Sequence, residues 1–386
     1  MKKVSKNSNS SEKNKTVKRK TPHLLAKKLT LKSRRLSVKP TTKAKKHEST
    51  LEKPKHNPII APRAEHDWEA WQTFNPGVII LDGQIHFIYR AIGIDGLSRF
   101  GYAASNDGFT IEERSAKAVY EHAMVSATPN FYSFASGGSF GGAEDPRLVQ
   151  VGKESKIYMT YTAVDGGLRV GLTSIDKKDF LNKKWKWKVP VLISPAGETN
   201  KNWVIFPEKI NGKYAILHAI APKILIAYVD SLDNIPRIQS SPNHGGRGYQ
   251  NPNGKKTWDS FVRGVGAPPI KTEHGWLVFY HAIDETDPGK YKVGAMLLDL
   301  KDPTHIICRS KQPIIEPEEH YENNGAKYGI VYASGAVVKD GRLMIYYGGS
   351  DNYVCIAHAN LEQFLDALRK DVEPKVSLQI DKKKNK

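Results

Sequence analysis

The chain has 386 residues, 39% of them hydrophobic, and a formal net charge of +19, which fits one large globular domain or two ordinary ones. The excess charge sits at one end: residues 1–56 hold 19 Lys and Arg against 3 Asp and Glu, leaving a balance of only +3 on the other 330 residues. A basic, nucleic-acid-binding fold is thereby disfavoured, no run of about 18 apolar residues offers a membrane span, and Cys308 and Cys355 supply neither a disulfide framework nor a metal motif.

Residues 1–56 are rich in Lys, Ser, Asn and Thr and contain no aromatic residue. Such a segment buries too little apolar surface to offset its ordering entropy and reads as a disordered tail. A solvated tail, an electrostatic adhesive for nucleic acid or anionic membrane, and an organelle transit peptide are all compatible with it. It is no secretory signal, lacking the apolar stretch. Two reduced thiols fit a cytoplasmic protein.

From residue 57 a ten-residue pattern recurs: a short turn, then a strand heavy in β-branched, aliphatic and aromatic residues. The five copies are DGQIHFIYRA from Asp82, ESKIYMTYTA from Glu154, NGKYAILHAI from Asn211, HGWLVFYHAI from His274 and DGRLMIYYGG from Asp340. Their eighth residue is always Tyr or His: Tyr89, Tyr161, His218, His281 and Tyr347. Each copy is preceded by a strand entered through a small or proline-bearing corner (NPGVIIL, EDPRLVQV, FPEKI, APPIKT, SGAVVK). Each is followed by another strand (FGYAAS, RVGLTSI, ILIAYV, KVGAMLLDL, VCIAHANL). Strand, tight turn, strand, turn, strand is an antiparallel meander. Five of them predict an all-β, five-bladed β-propeller over residues 57–375, with a β-sandwich or barrel as the alternative. LEQFLDALRK, with Leu361, Phe364, Leu365 and Leu368 on one stripe, predicts a short C-terminal helix. Residues 376–386 form a second basic tail.

In a propeller the first strand of each blade lines the channel, so the entry corners converge on one pocket. That brings together Asn75, Glu144, Asp145, Arg147, Glu208, Lys209, Arg263, Tyr332 and Ser334. A ring of carboxylates, amides and cations backed by aromatic rings suits a polyhydroxylated ligand. Corner residues that merely cap strand ends account for part of the same list.

These blocks, in order from Asn75 to Asp351, resemble glycoside hydrolase family 130, the mannoside phosphorylases and their hydrolytic relatives. The resemblance rests on NPGVIILDGQIHFIYRA, GGAEDPRLV with IYMTYTA, VIFPEKINGKYAILH, GVGAPPIKTEHGWLVFYH, YKVGAMLLDL and SGAVVKDGRLMIYYGGSD. It implies inverting phosphorolysis of β-mannosides, mannobiose or manno-oligosaccharides, to mannose 1-phosphate. Asp145 of the D-P-R corner would be the single catalytic acid, protonating the leaving oxygen through a hydroxyl of the mannose ring. Asn75, Arg90 and Asp351 would hold the sugar, with Arg147 and Glu208 on the same substrate wall. Lys201, Asn202, Arg263, His281 and Tyr291 would surround the phosphate, which serves as co-substrate; no other cofactor and no metal is implied. Family members often assemble, so a homo-oligomer is possible.

The economy of carboxylates makes physical sense. An inverting hydrolase needs an acid and a base about 6.5–9.5 Å apart to admit a water. Phosphate is already a nucleophile, so one acid and a set of cations suffice. The acid should be protonated near neutral pH, which predicts a raised pKa for Asp145, from burial or from a carboxylate across the funnel such as Glu208 or Asp351. Glu144, one residue away on a strand, should point to the opposite face. Two departures weaken the phosphate reading: Ala219 stands where many family phosphorylases have arginine, and Lys201 replaces another. A β-mannoside hydrolase, with Glu198, Glu208 or Glu285 as base, is the alternative; a non-catalytic sugar-binding propeller is a third.

Overall fold

The computed structural model describes residues 51–123, 138–164, 167–235 and 257–370, together with residue 238 and the short strand segments at 246–247, 249–250 and 377–378. Residues 1–50, most of the 240–256 loop and most of the C-terminal basic tail lie outside the described residues. The protein is mostly β. Three α-helices are described, Lys177–Leu181, His320–Asn323 and Leu361–Lys370, and the last buries Phe364, Leu365 and Leu368 as its stripe predicts. Among the described residues no helix is long and apolar enough to cross a membrane.

All five copies of the repeat are antiparallel three-stranded meanders. The first uses Gln72–Leu81, Gln84–Ile92 and Leu97–Ser105; the second Gly141–Val149, Lys156–Val164 and Leu168–Asp176. The third is Val204–Ile205, Tyr214–Ala219 and Leu225–Val229. The fourth is Phe261–Val265, Gly275–Asp284 and Asp287–Leu298; the fifth Val331–Lys339, Arg342–Gly349 and Tyr353–Asn360. The repeated tyrosine explains a small residue one strand away. Tyr89 lies across from Gly101 and Tyr161 across from Gly171, and a Cβ on either glycine would come within 2.4 Å of the ring.

Prolines decide where the entry strands break. Pro76 and Pro146 sit at β-bulges, between Phe74 and Gly77 and between Glu144 and Arg147, where the ladder needs no N–H. In the third and fourth repeats the corners end the pairing instead. The FPEKI segment is not a strand beyond Ile205, and Pro268–Pro269 separates Phe261–Val265 from the short strand Ile270–Thr272.

Among the described residues the hydrophobic core divides into five clusters, each shared by two meanders. They join the first to the second, second to third, third to fourth, and fourth to fifth. The fifth cluster joins the fifth to the first, packing Val337, Met344, Tyr346 and Ile356 against Val78, Phe87 and Tyr89. The residues just before the first meander add to that junction. Glu52 bridges His358, Ile60 bridges Val354, and Lys53 Nζ lies 2.9 Å from the buried Glu322 carboxylate. Residues 51–56 thus belong with the fold rather than with the basic tail. Burial of Ile60 alone is worth about 1.5–3 kcal/mol. Deleting residues 1–50 is expected to leave the calorimetric Tm unchanged, whereas deleting 1–61 should lower it by at least about 4 °C.

Candidate active site

The bulges are what build the site. Strand side chains normally alternate between faces, yet Asn75 and Asp145 have φ of 45° and 51°, in the left-handed region, at the bulges of their strands. That twist brings neighbouring side chains to one side. Glu144 does not point away from Asp145, contrary to the expectation from alternation: one guanidinium, Arg90, binds Glu144 Oε1 at 2.8 Å and Asp145 Oδ1 at 3.1 Å. Asn75 Nδ2 donates to the same Asp145 oxygen at 2.8 Å. Asn202 and Asp351 also have positive φ, 63° and 51°.

Asn75, Asp145, Asn202 and Asp351 face a cavity of about 500 Å³. Its walls carry Asn75, Asp145, Lys201, Asn202, Arg263, Tyr291 and Asp351 of the sequence-derived set, with Tyr332. The structure adds Lys327, whose Nζ lies 3.1 Å from Asp351 Oδ2. Sequence reading missed it because GAKYGI carries no motif; its position shortly before the fifth entry strand, analogous to Lys201 before the third, was the available signal.

Three predicted site residues stand behind the wall. Arg90 is fully buried and also donates to Ser98 Oγ, so it holds the Asp145 carboxylate rather than facing the cavity. Arg147 donates to the backbone oxygens of Asp145 and Gly266 and to Asn202 Oδ1 and Tyr332 Oη. It locks the second, third, fourth and fifth repeats to one another around the site. His281 is buried with its ring stacked on Tyr332, centroids 3.9 Å apart. Its Nε2 faces the Ala333 carbonyl at 2.9 Å, which fixes that nitrogen as the donor. Burial, then the Arg147 charge, pushes its pKa down to about 3, so the ring is neutral.

Glu208 is not at the site. The third entry strand ends at Ile205, before Pro207, and the Glu208 side chain, 45% exposed, pairs with Lys271 at 2.6 Å. Ala219 is buried in its strand and supplies nothing to the cavity wall. Glu198 and Glu285, the other candidate bases, are exposed and do not line the cavity.

The electrostatics of Asp145 differ from the sequence expectation. Burial does raise the pKa of Asp145, but the charges of Arg90, Lys201 and Arg147 and the Asn75 hydrogen bond outweigh it. The carboxyl is held well below the ordinary range, because three cations surround it. Arg90 stays charged for the reciprocal reason: burial disfavours its charge, and Glu144, Asp145 and Asp351 more than restore it. Burial raises the Tyr291 hydroxyl, with Arg263 opposing, so Tyr291 is a neutral donor beside a guanidinium.

The family profile described as beta-1,4-mannooligosaccharide phosphorylase, glycoside hydrolase family 130, matches residues 46–370. The chain belongs to that family. It is 37% identical over 315 residues to a 1,2-beta-oligomannan phosphorylase of Thermoanaerobacter sp. (strain X514), covering 78% of this chain and 94% of the relative. It is 35% identical over 320 residues to a beta-1,2-mannobiose phosphorylase of the same organism, with the same coverage. The beta-1,2-mannobiose phosphorylase of Listeria innocua, solved with beta-1,2-mannobiose, superposes with a TM-score of 0.63 at 26% identity, over 83% of this chain and 99% of that one.

Proposed function

We propose that the protein is an inverting β-mannoside phosphorylase acting on β-1,2-linked mannobiose or oligomannan, releasing α-mannose 1-phosphate. The observation that carries this reading is the charge inventory of the cavity. Two carboxylates line its described wall, Asp145 and Asp351, and the second is paired with Lys327. That leaves an acid without a free base, which suits a nucleophile that needs no activation. Lys201, Arg263 and the Tyr291 hydroxyl offer one anion-binding side. Arg263 has no carboxylate within ion-pair distance among the described residues, and its guanidinium lies 6.0 Å from the Tyr291 ring centroid. The β-1,2 preference follows the relatives that match over most of their length. The hydrolase alternative lacks support from Glu198, Glu208 and Glu285, none of which lines the cavity.

The fold reading deepens in the same way. Five meanders, and five core clusters running from each repeat to the next and from the last back to the first, support a five-bladed propeller whose entry corners ring the cavity.

The low pKa of Asp145 gives the reaction an order. Lys201 is, after Arg90, the cation that most stabilises its anion. Phosphate bound at Lys201 and Arg263 neutralises charge there, so Asp145 gains proton affinity as the nucleophile arrives. Asp145 takes up a proton from solvent and passes it to the glycosidic oxygen as the C1–O bond breaks and phosphate attacks the anomeric carbon from the opposite face. The neutral His281 Nε2 is committed to Ala333, so His281 shapes the pocket through Tyr332 rather than donating to the anion. Arg263→Ala is expected to raise the phosphate KM by about tenfold or more, with little change in the mannoside KM. Phosphate titration at saturating β-1,2-mannobiose checks it, and a phosphate-independent rate in the parent enzyme would refute the phosphorylase.

A further inference from the structure

The Lys327–Asp351 pair is built with more care than a surface ion pair. Asp351 follows Ser350, and both have left-handed φ, 46° and 51°. The turn is held from two sides: Gln72 Nε2 donates to the Asp351 carbonyl at 2.6 Å, and Ser350 Oγ donates to the Tyr321 carbonyl at 2.8 Å. The segment carrying Lys327 is tied to the same turn, through Lys327 N to Ser350 O at 2.9 Å and Ser350 N to Ile330 O at 2.9 Å. Gly325 permits the contact, since a Cβ there would come within 2.3 Å of Ser350 Oγ. Beneath it, fully buried Glu322 accepts from the Tyr347 hydroxyl at 2.7 Å and anchors the preceding helix through its capping box. The ammonium is therefore delivered to the cavity wall by a fixed backbone, while its side chain stays 35% exposed.

We propose that Lys327 is a sugar-binding residue that works with Asp351 as a donor–acceptor pair, gripping two adjacent hydroxyls of the mannosyl ring. The spacing suits this. Neighbouring ring hydroxyls lie about 3 Å apart, so one donates to Asp351 while the next accepts from Lys327, and each replaces a bond of the existing 3.1 Å pair. Phosphate is the poorer occupant here, because the Asp351 carboxylate repels an anion that Arg263 and Tyr291 can take without such a neighbour.

The proposal rests on the mannoside reading of the cavity, and the test separates the two. Lys327→Met removes the ammonium and keeps the stem. It is expected to raise the mannoside KM, and the Kd for β-1,2-mannobiose by calorimetry without phosphate, by about tenfold. The phosphate KM should change less than twofold and the Tm should match the parent. Deoxygenating the mannosyl ring at the contacted hydroxyl should penalise the parent enzyme about tenfold and the variant little; Lys327→Arg should restore most of the affinity. A phosphate KM that rises instead makes Lys327 an anion ligand and overturns the proposal, as does unchanged mannobiose affinity. Failure of the parent enzyme to bind or turn over any β-mannoside would instead defeat the underlying reading.

Discussion

Asp145→Asn is expected to lower kcat on β-1,2-mannobiose by about 10²–10⁴-fold, the usual contribution of a general acid, with the fold intact. The change removes the proposed proton donor at constant volume, and the amide oxygen can still accept from Asn75 and Arg90 at the positions now 2.8 and 3.1 Å from the carboxylate oxygen. A mannoside with an activated aryl leaving group needs no protonation, so the variant should keep most of its rate on that substrate. Comparing the two substrates isolates the acid from any loss of binding. A variant equally slow on both would show that Asp145 matters for something other than proton donation. The same variant has a pH signature. The folded pKa of Asp145 is lowered, so its ionised form adds stability that is fully present above its unfolded pKa of about 3.9 and lost as pH falls through the lower folded value. Asp145→Asn should therefore flatten the loss of stability below about pH 4, which acid titration by circular dichroism will show.

Arg90→Met should destabilise the protein by about 3–5 kcal/mol, the range for removing one partner of a buried ion pair. Arg90 is fully buried with Glu144 at 2.8 Å and Asp145 at 3.1 Å, so the substitution strips two buried carboxylates of their shared counter-ion and leaves Lys201, 3.5 Å from Glu144, and Arg147 as the remaining cations. A denaturant midpoint close to that of the parent would mean the guanidinium is not the counter-ion it is taken to be. Arg90→Lys should recover only part of the loss, because an ammonium cannot fork to two carboxylates and Ser98 at once.

The repeat was legible in the sequence because it is written in turn and strand chemistry that recurs, and every copy of the pattern became the middle strand of a meander. The site was legible in part for the same reason: corners of entry strands meet, which placed Asn75, Asp145, Arg263 and Tyr332 together. What failed were inferences that needed backbone detail. Alternation sent Glu144 away from Asp145, but a bulge and a positive φ, invisible in EDPR, turned both toward Arg90. Glu208 looked like a corner carboxylate until Pro207 ended the strand before it. The pKa of Asp145 was expected to rise, from burial or from a carboxylate across the funnel; its direction depends on three cations contributed by separate stretches of chain. Lys327 belongs to no pattern and is found by its distance to Asp351.

The most direct test of the account is incubation of the purified protein with β-1,2-mannobiose, with and without inorganic phosphate, followed by NMR of the products. The account predicts α-mannose 1-phosphate and mannose in equal amounts, formed only when phosphate is present. Free mannose released at a rate indifferent to phosphate would contradict it and make the protein a hydrolase on the same scaffold.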